Sequence, residues 1–229
     1  MKNENHFPDS GNMARRSFLR YAGASVATVG ILGAASCHKD KVIPSTGIDI
    51  GSGDTAILNY AYALEQLEAA FYIQVASSPY SGITATETSR LTDIRDHEVA
   101  HREFFKAALA GNATVGGLTP DFSSINFSDR TSVLGAAKAF EDLGVQAYNG
   151  AGYLIQSATY LTLAGEIVSV EARHASYIRD LISNGSFADT TILDANGMDQ
   201  SKAIKDVLPI ANTFLKTKVS ASSFGYVSA

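Results

Sequence analysis

The chain has 229 residues, 45% of them hydrophobic, which is enough for one substantial domain with its own core and short of a membrane protein's composition. Its 18 basic and 23 acidic side chains leave a formal charge of −5, a balance that speaks against a nucleic-acid partner. The one cysteine, Cys37, excludes an internal disulfide.

In chain order, the first feature is Met13-Ala14-Arg15-Arg16-Ser17-Phe18-Leu19-Arg20, a basic stretch running into the uncharged, Ala/Gly/Val-rich residues 21–36. This is a basic region before a short apolar run, too short to span a membrane. With Arg15 and Arg16 it resembles a bacterial twin-arginine export signal, which implies handling by that export machinery and a periplasmic or membrane-anchored product. Cys37 directly follows Leu32-Gly33-Ala34-Ala35-Ser36, the placement of a lipoprotein cleavage and acylation site. Ordinary cleavage near the small residues is the alternative, and a lipid on Cys37 would be the chain's sole link to a membrane. Residues 1–36 are therefore read as a signal segment and 37–53 as a linker rich in Gly, Ser, Pro and Thr.

Four segments of helical periodicity follow, and the domain is expected over 54–185. The first helix is predicted over 54–76, ended by Pro79 and Gly82, and the second over 85–110, closed by Gly111-Asn112. Residues 112–130, with Gly, Pro, Ser and Asn throughout, read as a long connection. A third helix begins near Asp129 to Ser132, and a fourth ends near Ser183-Asn184-Gly185. A shorter fifth is predicted over 199–216, inside a C-terminal extension of 186–229. No alternating strand pattern of useful length appears, so the fold class is all-α: a four-helix bundle with a long crossover between helices 2 and 3.

Written at alternating three-and-four spacing, each helix has an apolar stripe broken midway by acids. Helix one reads Leu58, Ala61, Glu65, Glu68, Tyr72, Val75; helix two reads Leu91, Ile94, Glu98, His101, Phe105, Ala108. Helix three reads Leu134, Ala137, Glu141, Gly144, Tyr148, Ala151; helix four reads Ile167, Glu171, His174, Ile178, Leu181. A buried carboxylate costs several kcal/mol unless paired or bound to a metal, and at least four would sit at one depth. Two divalent cations balance four carboxylates, and two histidines complete their coordination.

The pattern is also repeated. Glu65 has Tyr72 at plus seven and Glu98-x-x-His101 33 residues on; Glu141 has Tyr148 at plus seven and Glu171-x-x-His174 30 residues on. In antiparallel hairpins residues at one height are equidistant from the turn. The midpoints fall near residue 82, in a marked turn, and near residue 156, which places the unmarked turn between helices three and four at Gln156 to Tyr160.

The doubled motif, with "ILNYAYALEQLEAAFY" and "HEVAHREFF", resembles the ferritin-like superfamily and its di-iron carboxylate members, bacterioferritins and rubrerythrins among them. It looks like the exported branch that includes plant desiccation-related proteins. That resemblance implies metal ligands at Glu65, Glu98, His101, Glu141, Glu171 and His174. Glu68 shares the stripe as an additional or alternative ligand; the tyrosine at plus seven favours Glu65, and Glu68 corresponds to Gly144 in the other half. The resemblance further implies two iron ions, with manganese a second option, and a reaction with dioxygen or peroxide. The alternatives are a dimanganese, catalase-like enzyme or a non-enzymatic, stress-protective metal binder. The sequence identifies no oligomer interface.

Three further readings concern neighbours of that set. His97-Glu98-Val99-Ala100-His101 also reads as H-E-x-x-H, the zinc-protease signature. His97 lies about 40° from His101 around the helix, yet it sits beside the stripe and Val170 replaces it in the second copy, so it is expected as a flank or surface residue. Asp96 and Asp142 are expected to be solvated or to contact ligands from outside. Tyr72 and Tyr148 are either core aromatics with a hydrogen bond or direct partners of a ligand carboxylate. Small residues near the site, Ala61, Ala69, Gly144 and Ala151, serve either access for a diatomic molecule or close helix packing.

Overall fold

The computed structural model describes residues 47–228. Arg15, Arg16, Cys37 and the signal segment lie outside the described residues. Four long helices dominate: α1 (Gly53–Ser77), α2 (Ala85–Leu109), α3 (Arg130–Gly152) and α4 (Ala158–Ile182). α1 packs on α2 and α3 on α4 as hairpins, and α1 lies against α3. This is the all-α bundle with a long crossover, followed by a short helix, α5 (Ile204–Ala211). Among the described residues no helix is long and apolar enough to cross a membrane.

Local chemistry sets where the helices begin. Thr84 and Glu87 form a reciprocal capping box on α2, each side chain accepting from the other's backbone N–H. The second oxygen of Glu87 accepts from Arg130 Nε at 2.9 Å, and Arg130 also donates to the Leu181 carbonyl. One ion pair thereby joins the N-termini of α2 and α3 to the C-terminal turn of α4. At the opposite end, the α3–α4 turn occupies 153–157, somewhat earlier than the spacing predicts. The shift has two causes: Ser157 caps α4, and the Asp54 carboxylate of α1 accepts from the backbone N–H groups of Gln156 and Ser157 at 2.9 and 2.8 Å.

The crossover is fastened rather than loose. Asn59 of α1, fully buried, donates to the Asn112 carbonyl and accepts from Thr114 N; Gln66, two turns further along the same face, donates to Val115 O and accepts from Leu118 N. Phe122 and Phe127 then insert beside Phe71 and, with Phe140 and Phe214, close one end of the core.

The C-terminal extension differs most from expectation. α5 is shorter than 199–216, because residues 199–203 run extended along α3: Lys202 N donates to the Gln146 carbonyl. That approach requires Gly150, where a Cβ would stand 1.9 Å from Lys202 O. A two-residue strand pair that alternation did not reveal, β1 (Ile48–Asp49) with β2 (Val219–Ser220), is parallel and joins the end of the expected linker to the extension. Arg179 of α4, 2% exposed, pairs with Asp142 of α3 and holds the loop beyond α4 through Asp189 and Thr191.

Candidate metal centre

Each long helix delivers its stripe of acids to the middle of the bundle. Glu and His three residues apart lie on one helical face, so Glu98 with His101 on α2, and Glu171 with His174 on α4, point inward together. Glu65 of α1 and Glu141 of α3 complete the set. All four carboxylates are 0% exposed and His174 is 4% exposed. The structure thus brings the six residues of the repeat to one buried place.

Their atoms form two groups, each drawn together within 4.8 Å: Glu65, Glu98, His101 and Glu171 in one, Glu98, Glu141, Glu171 and His174 in the other. Glu98 and Glu171 belong to both, and their two oxygens divide between them. Glu171 Oε1 lies 2.9 Å from His101 Nδ1 while its Oε2 is 3.9 Å from His174 Nδ1. Glu98 does the converse, with Oε1 at 2.9 Å from His174 Nδ1 and Oε2 at 3.8 Å from His101 Nδ1. Glu65 and Glu141 each serve one group, 3.4 and 3.5 Å from His101 and His174 respectively.

These contacts attract as charges but lack hydrogen-bond alignment. Among the described residues, ten buried side-chain nitrogen and oxygen atoms have no hydrogen-bond partner, and eight belong to these six residues: one oxygen each of Glu65 and Glu141, both of Glu98 and Glu171, and Nδ1 of each histidine. Orphaned buried polar atoms are rare because each forfeits its hydration. Eight of them converging as two four-atom sets of oxygen and imidazole nitrogen match the donor chemistry of divalent transition-metal ions.

Electrostatics point the same way. Burial raises the pKa of Glu171 well above the carboxylate range, and the neighbouring carboxylates of Glu98 and Glu65 raise it further. Burial likewise pushes Glu65 up to about 7, against the opposing pull of His101. Glu98 goes the other way: burial would raise it, but His101 and His174 outweigh that and hold it at about 2. Burial disfavours a charged His174, yet Glu141 and Glu98 push it up to about 10, and His101 is raised in the same manner by Glu171 and Glu65. The cluster therefore favours positive charge at two points.

The tyrosines cross between the halves. Tyr72, seven residues after Glu65, donates to Glu141 Oε1 at 2.5 Å, and Tyr148, seven after Glu141, donates to Glu65 Oε1. Each terminal carboxylate thus has one oxygen held by the opposite half's tyrosine and the other turned to its group.

Glu68 is buried, 4% exposed, but offers no atom to either group. Its carboxyl occupies the space that a side chain at position 144 would need: a Cβ on Gly144 would stand 3.0 Å from Glu68 Oε1. Burial, then the charges of Glu171 and Glu98, raises its pKa well above the usual range.

His97 is likewise absent from both groups; its Nδ1 meets His174 Nε2 at 2.9 Å. His97 and His101 therefore do not converge in the manner H-E-x-x-H requires for zinc. Asp96 is exposed and pairs with Arg95, whereas Asp142 receives two hydrogen bonds from Arg179 and none from the cluster. Ala61 and Ala151 line a small apolar cavity of about 30 Å³ that also touches Leu64, Phe105 and Tyr148, the partner of Glu65. Gly144 is not on that cavity.

Sequence periodicity had no means of finding the Tyr72–Glu141 crossing or the His97–His174 contact, since both depend on which helices face each other. The small residue at 144 opposite an extra acid at 68 was a usable signal.

A family model described as ferritin-like domain matches residues 53–184, more than half the chain and all four long helices. No curated protein matches the chain.

Proposed function

The chain belongs to the ferritin-like domain family, and on that premise we propose that its cluster binds two iron ions and that the loaded protein reacts with dioxygen or peroxide. The observation that carries this reading is the set of eight unpartnered buried atoms in two groups sharing Glu98 and Glu171. Two iron ions so held would supply a two-electron step, and carboxylate oxygens favour their higher oxidation state.

The protein's own residues have separable tasks in this reading. Glu98 and Glu171, which belong to both groups, would hold both ions. Glu65 and Glu141 each cap one position, and Tyr148 and Tyr72 lock those carboxylates in place by occupying their far oxygens. The core stripes above and below exclude bulk water. The cavity beside Tyr148 is apolar, which suits dioxygen better than a metal cation.

Anaerobic Fe(II) titration with optical detection after oxygen is admitted tests the proposal. Binding of close to two ions per chain, followed by oxygen-dependent absorbance, is the expected result; binding of none sinks it. Metal analysis of protein from its native host separates iron from manganese. Unchanged cellular function on replacing Glu98 and His101 together would favour the non-enzymatic role. We also propose export through Arg15 and Arg16; if replacing both with Lys leaves the protein's location in cell fractions unchanged, that part fails.

A further inference from the structure

The residue that made the α2 motif resemble a protease has its own place in the structure. His97 is exposed on α2, one residue before Glu98, but its ring leans across to α4 and not toward His101. The His97 and His174 rings are nearly parallel, 7° apart, with centroids 5.1 Å apart and Nδ1 2.9 Å from Nε2. Two nitrogens that close are in hydrogen-bond contact, not face-to-face van der Waals contact.

The direction of that bond follows from the other side of the His174 ring. Nδ1 faces Glu98 and Glu141 in the buried group, so Nδ1 is the nitrogen available to a metal. A neutral imidazole that coordinates through Nδ1 carries its proton on Nε2. Nε2–H then donates, and His97 Nδ1 accepts. Such an outer partner fixes the tautomer and ring orientation of a metal-binding histidine and raises its basicity.

The two halves of the site are not equal in this respect. The residue that corresponds to His97 in the second Glu-x-x-His is Val170, whose side chain can neither donate nor accept. Tyrosines, bridging acids and terminal acids all obey the repeat; the imidazole on His174 breaks it.

We propose that His97 is a positioning residue for His174 and makes the Glu98/Glu141/Glu171/His174 position the tighter of two inequivalent metal positions. This rests on the dimetal reading above. It reassigns the first histidine of H-E-x-x-H from metal ligand to the acceptor behind a ligand on another helix.

The test is an anaerobic Co(II) titration, followed by the ion's optical bands, on the full chain and its His97→Ala and His97→Asn variants. The wild-type protein is expected to bind two ions with separable affinities. His97→Ala should weaken the tighter step by about 10- to 100-fold and leave the weaker one unchanged. His97→Asn, whose side-chain oxygen falls near the position of Nδ1, should restore the affinity to within a few-fold. His97 is exposed and His97→Asn keeps an acceptor for His174, so metal-free thermal unfolding of that variant should match wild type, and this separates a positioning effect from loss of fold. Two wild-type-like affinities in His97→Ala overturn the assignment and leave the dimetal reading standing, as does equal weakening of both steps. A wild-type protein that binds no Co(II) overturns the dimetal reading and this assignment with it.

Discussion

Glu98 and Glu171 differ from the other acids of the cluster because each turns one oxygen to His101 and the other to His174. Glu65 and Glu141 instead give one oxygen to a tyrosine and one to a single group. The difference makes a prediction about stoichiometry. Glu65→Ala should remove one position and leave close to one ion per chain, whereas Glu98→Ala should lower occupancy at both. Equilibrium dialysis with metal analysis measures this, and equal losses in the two variants would contradict the division of labour. Glu68 shows how geometry decides among candidates on one stripe. It lies one turn from Glu65 and is also buried, but it fills the space at Gly144 rather than joining either group.

At the scale of elements, the positions of the four acids depend on where the helices start and stop, and these ends are held by few bonds. The capping box at Thr84 is the clearest case because its acid, Glu87, also pairs with Arg130. Burial alone would raise Glu87's pKa, but the Thr84 backbone N–H and Arg130 outweigh it and lower the pKa. A carboxyl with a depressed folded pKa contributes stability above its unfolded value, near 4.3 as a rough reference, and loses it as pH falls through the folded value. Glu87→Gln should therefore cost about 1 kcal/mol at neutral pH, and the gap from wild type should narrow as pH drops below about 4. Urea unfolding of both proteins at pH 7 and pH 3 measures it; a gap that widens in acid would reverse the sign. The crossover and the C-terminal extension are held on the same principle, by buried Asn59, Gln66 and Arg179 making several hydrogen bonds each.

For the molecule as a whole, the buried acids are a burden that bound metal ions would relieve. Cations binding only the folded state stabilise it by mass action, about 2.7 kcal/mol per site at a hundredfold excess over Kd. Loading with Fe(II) under anaerobic conditions should raise Tm, and a chelator should return it to the metal-free value; a Tm indifferent to both would mean that the ions do not bind the folded protein. The six residues of the repeat, the four helices and the long crossover were all legible in the sequence. Helical period and burial cost act along one helix at a time, and acids interrupting four apolar stripes at matched heights have few physical solutions. What tertiary structure alone decided were relations between helices: tyrosines that cross to the opposite half, Glu68 set into the space at Gly144, His97 against His174, and a turn moved by Asp54. Such contacts join residues up to about a hundred positions apart, and no spacing within one helix encodes which face of another it will meet.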